Sequence, residues 1–366
     1  MSYRFCKSVT SAVIFMLALF PVSAFSLDLE KKKLLPVHYS GRFVVGELDG
    51  APTYTYSWPG VYFEAAFVGT AVDLKLNDSN NIFNIIVDGQ APVVLTRPGK
   101  TTYSINNLTE GRHHIRLEKR TETQFGTGTF EGFFVPVNSQ AITPEKPKRN
   151  IEFIGDSAVV GYGIRSPKRE CREEEVFSFT DTQITYAALT AKAFNADYQI
   201  NALSGFGVVR NYNGAFAENT FLSLYPYALN DKGALYQSNW SPNIIVIGLG
   251  GNDFATPLNP DEKWKTREAL HDDYVKNYKD FILSLRTKHP KAHFILLSYA
   301  VVGDELGSQV TRVIKELKQK GIGDIGLVTI KPVELAACHW HPSESDHKKS
   351  AEILTNYIKA NPGLWN

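Results

Sequence analysis

The hydrophobic rhythm of this chain changes once, near residue 140, and that change assigns its two halves to different architectures. From about Val37 to Val137 short runs alternate apolar and polar side chains, as in Val61–Phe67, Ala71–Leu76 and Asn81–Val87. Turn signals separate them: Pro59-Gly60, Asp88-Gly89, Pro98-Gly99 and Glu110-Gly111. A period of two puts every second side chain on one face, so each run reads as a half-buried strand. Strands this short, spaced about ten residues apart, predict an all-β sandwich, with jelly roll the preferred topology.

Residues 139–150 are polar, hold Pro144 and Pro147 and lack periodicity, and they read as a linker. Beyond them, apolar runs at Ile151–Ile154, Asn243–Leu249, His293–Ser298 and Ile325–Ile330 have the character of buried parallel strands. Helical patterns intervene. Tyr274, Tyr278, Phe281, Ile282 and Leu285 share one face of a helix over 272–288. Val310, Val313, Ile314 and Leu317 do the same over 308–320, with Gly321 as its C′ residue. A last helix is expected over about 343–359, before Pro362. Such alternation predicts a parallel sheet with helices on both faces and ligands at the carboxyl ends of its strands. The expected division is a signal peptide over 1–26, the sandwich over 27–138, the linker over 139–150 and the α/β domain over 151–366.

The signal peptide rests on Arg4 and Lys7 ahead of an apolar run from Val9 to Val22, with small residues at Ala24 and Ser26. The run is short for a membrane span and Pro21 sits near its end, which weighs against a retained anchor. Export predicts a secreted or periplasmic protein with no membrane partner after cleavage. Cleavage removes two cations and no acid, taking the formal net charge from +1 to about −1. Neither value calls for nucleic acid as a partner. Cys6 leaves with the signal. Cys171 and Cys338 either pair or stay as buried thiols; both lie in loops of the later domain of an exported protein, which favours the disulfide. No cysteine sits in a metal-ligand spacing, no phosphate loop appears, and no cofactor is expected.

Four segments fall where strands of the parallel sheet should end. Gly155-Asp156-Ser157 can project a hydroxyl into the cleft and aim a backbone N–H at a developing oxyanion. Glycine in Leu203-Ser204-Gly205-Phe206-Gly207 lets a backbone N–H approach a ligand. In Gly250-Gly251-Asn252-Asp253 the amide can donate to an oxyanion, and Asp253 can hold a loop through backbone N–H groups. His339-Trp340-His341-Pro342 offers a general base for the serine. Each alone is an ordinary turn. Serine, glycine, asparagine and histidine in this order at successive strand ends are together a catalytic constellation.

The set resembles the SGNH (GDSL-like) hydrolase superfamily, mapping onto Ser157, Gly205, Asn252 and His341. The resemblance implies an α/β/α fold and an oxyanion hole built from the Ser157 and Gly205 N–H groups and the Asn252 side chain. A narrower similarity, to carbohydrate esterase family two, covers Gly155–Gly163, Ser204–Tyr212 and Gly250–Phe254. It extends into the front domain at Ser57-Trp58-Pro59-Gly60, Val87-Asp88-Gly89, Gly111-Arg112-His113-His114 and Lys119-Arg120-Thr121-Glu122. That family implies deacetylation of polysaccharides or oligosaccharides, typically hemicellulose such as xylan or glucomannan. SGNH enzymes usually carry an aspartate three residues before the histidine, and Cys338 stands there. A backbone carbonyl orients His341, or a remote carboxylate such as Asp346 or Glu344 does, or the site is inactive; the first reading, a Ser157–His341 dyad, is preferred.

Trp340, Tyr212, Tyr162 and Trp264 lie in loops near strand ends and are candidates to stack on the apolar faces of sugars. The expected activity is that of a monomeric, secreted serine esterase releasing acetyl groups from carbohydrate. The alternatives are a carbohydrate-binding protein with weak catalysis and a transferase passing acetyl between sugars.

Overall fold

In the computed structural model, which describes residues 32–299, 304–331 and 334–366, the alternating runs of the front half form two antiparallel sheets. One sheet runs Val44–Leu48, Ala51–Tyr56, Gly128–Pro136, Val72–Asp78, Gly99–Ile105, with Lys32–Leu34 paired to Gly128–Pro136. The other runs Gln140–Ile142, Tyr62–Val68, Arg112–Lys119, Ile82–Val87, Val93–Thr96, with His38–Ser40 paired to Tyr62–Val68. Phe63, Ala65 and Phe67 point into the sandwich core with Leu74, Leu76, Ile85, Ile115, Leu117, Phe130 and Phe133. Asp88 and Gly89 both take left-handed φ, and Gln90 N–H donates to the Val87 carbonyl at 3.0 Å, closing the tight hairpin that Asp-Gly favours. The expected signal peptide lies outside the described residues.

The expected linker is shorter than its composition suggests. Gln140–Ile142 is an edge strand of the second sheet, and Arg149 already begins the first strand of the parallel sheet. Backbone pairing to Ala66–Val68 recruits this polar stretch, for which side-chain periodicity gives no signal.

The back half is a five-stranded parallel sheet in the order Ala196–Ala202, Arg149–Gly155, Ile244–Gly248, His293–Tyr299, Ile325–Ile330. The chain order reverses beside Arg149–Gly155, so a cleft opens at the carboxyl end of that strand. Helices Arg267–Lys288 and Glu305–Gln319 cover one face, and Tyr186–Ala193 and Glu344–Ala360 the other. Two of the expected helices start earlier than their apolar stripes indicate, because Thr266 caps Ala269 N–H and Asp304 caps Gly307 N–H. Glu305–Gln319 ends as expected: Gly321 and Ile322 N–H groups donate back to Lys318 and Leu317 carbonyls around a left-handed Gly321.

The second sheet of the sandwich turns its outer face to the parallel sheet. Tyr62 packs on Tyr198 with ring centres 5.0 Å apart and bonds Asp197, while Arg116 reaches the Tyr198 hydroxyl at 2.8 Å. Trp58, fully buried, sits in the core of the α/β half and donates to the Tyr227 carbonyl. Arg42 is equally enclosed, 4.1 Å over the Tyr225 ring and paired with Glu152. Residues 32–366 accordingly form one compact unit.

Candidate active site

Ser157 follows the strand Arg149–Gly155 as the first residue of the one-turn helix Ser157–Val160. Asp156 caps that turn, its carboxylate accepting from Ala158 N–H at 3.1 Å. Crowding makes Gly155 necessary, since a Cβ there would lie 2.2 Å from Val159 Cγ2. The serine hydroxyl is thus presented at the end of a buried strand with little freedom in its backbone.

His341 comes from the loop before the last helix. Its Nε2 lies 2.9 Å from Ser157 Oγ, and its Nδ1 lies 2.9 Å from the Cys338 carbonyl. A carbonyl only accepts, so this contact sets the tautomer with hydrogen on Nδ1 and a lone pair on Nε2 facing the serine. Burial pushes the imidazole below its ordinary value, and the carbonyl contact opposes that push. The loop is tightly held. Cys338 is disulfide-bonded to Cys171, His339 N–H donates to the Arg169 carbonyl, and the Arg169 guanidinium binds the Leu335 and Glu334 carbonyls. Tyr162 lies over the His341 ring at 4.4 Å and bonds His339 Nδ1 at 3.0 Å.

The carboxylates considered for orienting His341 are engaged elsewhere. Asp346 caps the last helix at Ser343 and accepts from Glu334 and Leu335 N–H groups; Glu344 pairs with Lys348.

Gly205 has φ of 81°, which favours glycine, and open space beside its Cα lets a ligand approach the backbone. Asn252 Nδ2 spans the first two segments, donating to the Phe206 carbonyl at 2.9 Å and to Asp156 at 3.3 Å. Asp253 braces the glycine loop: its carboxylate accepts from Val208, Val209 and Arg210 N–H groups at 2.8–2.9 Å. Burial raises Asp253 to about 6, those N–H groups opposing the rise. Burial, with the neighbouring Asp253, raises Asp156 to about 7. The three strand-end segments are therefore one hydrogen-bonded assembly around the serine.

Both halves of the chain are similar to known proteins. Residues 39–144 match the family described as carbohydrate esterase 2 N-terminal, and residues 151–354 match the GDSL-like lipase/acylhydrolase family. An acetylxylan esterase / glucomannan deacetylase of Cellvibrio japonicus is 47% identical, over 97% of this chain and 99% of its own length. A solved carbohydrate esterase, whose active site displays divergent catalytic and non-catalytic binding functions, superposes with a TM-score of 0.88. It shares 47% identity, over 91% of this chain and 100% of that one. This chain belongs to carbohydrate esterase family two. It is a carboxylic-ester hydrolase. A further family-two carbohydrate esterase, from Clostridium thermocellum and in complex with cellohexaose, has a TM-score of 0.76 at 30% identity, over 90% of this chain and 99% of that one.

The aromatic candidates of this esterase separate by placement. Trp340 is 58% and Tyr212 54% exposed, enough to meet a sugar; Trp340 adjoins His341, and Tyr212 N–H donates to the Gly205 carbonyl. Tyr162 is committed to the face of His341. Trp264 is tied to the helix Arg267–Lys288 through Asp273, with Lys263 over its ring. Among the described residues no bond or ring contact joins it to Ser157 or His341. Phe216, 64% exposed and stacked on Phe206 of the glycine loop, is an aromatic that the sequence reading missed. Its position after Tyr212 in the same loop was the available signal.

Proposed function

We propose that this family-two esterase is an exported, monomeric carbohydrate O-acetyl esterase acting on hemicellulose such as xylan or glucomannan through an acetyl-enzyme on Ser157. The observation that carries the reading is the Ser157 Oγ–His341 Nε2 contact of 2.9 Å, with Nδ1 held by the Cys338 carbonyl. His341 takes the hydroxyl proton as Oγ attacks the acetyl carbonyl, forming the C–O bond to serine. Ser157 N–H, Gly205 N–H and Asn252 Nδ2 receive the oxyanion. The longer Asn252 bond, to Asp156, is the one the oxyanion would take over. Collapse breaks the bond to the sugar oxygen, which leaves with the proton from His341. Water, deprotonated by His341, then attacks the acetyl-enzyme, releasing acetate and restoring serine.

The substrate class rests on the relatives: one is an acetylxylan esterase / glucomannan deacetylase, another holds cellohexaose. The test is acetate release from acetylated xylan and glucomannan, with Ser157→Ala as control. Release by the natural chain and none by Ser157→Ala is expected; full activity of Ser157→Ala on an aryl acetate would refute the assignment. Exposed Trp340 and Tyr212 favour a second use of the cleft, holding glycan without turnover. Ser157→Ala that still binds cellohexaose would support it.

A further inference from the structure

The sandwich lobe contributes a turn, Thr123–Phe125, that reaches the glycine loop of the active site. Thr123 Oγ1 donates to the Ala202 carbonyl at 3.1 Å, at the end of the strand Ala196–Ala202. Phe125 packs edge-on against Phe177 of the α/β lobe at 4.9 Å. Between these anchors, Gln124 Nε2 donates to the Ser204 carbonyl at 2.6 Å. Ser204 C=O and Gly205 N–H belong to one planar trans peptide, in which the two bonds point in opposite directions. Holding the oxygen therefore aims the N–H.

The neighbouring peptides of the loop are secured from within it: Phe206 N–H donates to the Leu203 carbonyl and Tyr212 N–H to the Gly205 carbonyl. The Ser204–Gly205 peptide is gripped from the other lobe instead. It abuts a glycine with nothing beside its Cα, so rotation of this plane meets little steric resistance. Glu122, buried beside Ser204, adds contact from the same segment.

Resting on the oxyanion-hole reading above, we propose that Gln124 is a positioning residue, which clamps the Ser204–Gly205 peptide so that the Gly205 N–H faces the developing oxyanion. The sandwich is then part of the catalytic apparatus without touching substrate. Gln124 is itself exposed, so replacing it leaves the cores intact.

Steady-state kinetics on an aryl acetate test this. Gln124→Ala should lower kcat about tenfold, less than the ~10²–10³-fold of an oxyanion donor removed outright. KM and the melting temperature should hold. Gln124→Glu keeps the shape, loses the donor and sets an oxygen against the carbonyl; it should fall at least as far. In an Asn252→Ala background the loss from Gln124→Ala should differ from its loss alone, because both act on one oxyanion. Unchanged kcat in both single variants, a loss confined to KM, one matched by a fall in melting temperature, or strict additivity with Asn252→Ala would overturn the inference. Such a result beside an inactive Ser157→Ala would leave the dyad standing; full activity of Ser157→Ala would remove the reading beneath both.

Discussion

The two halves of the proposed reacting pair are held by different means. Ser157 stands at the end of a strand buried from Ile151 onward, next to Asp156, which caps its helix and is bonded by Asn252, while Asp253 braces the adjoining glycine loop; all are supplied by strand ends of the same sheet. His341 stands in a loop between a sheet edge and a surface helix, where His339 and Trp340 both have left-handed φ. Non-glycine residues adopt that conformation at some energetic expense, so the surroundings must impose it. The disulfide, the Arg169 contacts and Tyr162 do so. The proposed nucleophile is placed by the fold, whereas the proposed base is placed by cross-links. Perturbations of the cross-links should therefore reach the base first.

Removing the base sets the scale. His341→Ala should lower kcat by about 10⁴-fold or more on any acetyl ester, since serine then lacks a proton acceptor. A loss below about a hundredfold, measured on an aryl acetate, would break the assignment of the loop as the base's side.

The pH profile probes the same imidazole. His341 accepts a proton only when neutral, and burial lowers its pKa, so neutrality extends further into acid. The log of kcat/KM should rise with pH through a pKa below the ordinary 6.5 and then level off. Below that pKa the rate should fall about tenfold per pH unit. A limb near 7 that disappears in Asp156→Asn would instead assign the titration to that carboxyl, which burial raises to about 7.

The cross-link itself comes next. Cys171→Ser with Cys338→Ser should reduce kcat about tenfold through loss of the carbonyl's position. Urea denaturation should show about 2–4 kcal/mol less stability, as for other disulfides that close long loops. The contrast with the serine half predicts that an organophosphate, which reports hydroxyl geometry as well as the base, still labels Ser157, only more slowly. Failure to label at all would mean that the two halves are not independently held.

The smallest effect belongs to the rim. Trp340→Ala should raise KM for acetylated polysaccharide about three- to tenfold, as the loss of one stacking contact does, while kcat on a small aryl acetate changes little. An equal effect on both substrates would place the indole in the base's support.

The sheet's four apolar strands were legible because burial leaves a mark in the side chains, and so was the meeting of Ser157 with His341, which their chemistry marks. The strand Ala196–Ala202 was not. It is wholly buried, yet Asp197, Gln199 and Asn201 make it look like a polar loop. Their partners come from distant segments: Tyr62 and Trp240 bond Asp197, Tyr236 bonds Gln199, and Asn201 bonds Glu152. A polar strand can be buried when distant segments supply partners for its side chains, which no local pattern records. The acceptor for His341 was expected to be a backbone carbonyl, but which residue carries it was not legible. It is a main-chain oxygen, and Cys338 as a side chain says nothing about it. The disulfide left open by cysteine count is formed, and it anchors the residue that carries that oxygen.

Trp58 bears on how such a protein changes over generations. An indole from the sandwich fills the core of the α/β half, and Arg42 from the same lobe neutralises the buried Glu152 there. Losing the sandwich would leave a cavity and an unmatched charge in the part that remains. Recombination that cut between the lobes would yield a fragment with a damaged interior. The two halves are thus expected to descend together as a single heritable block.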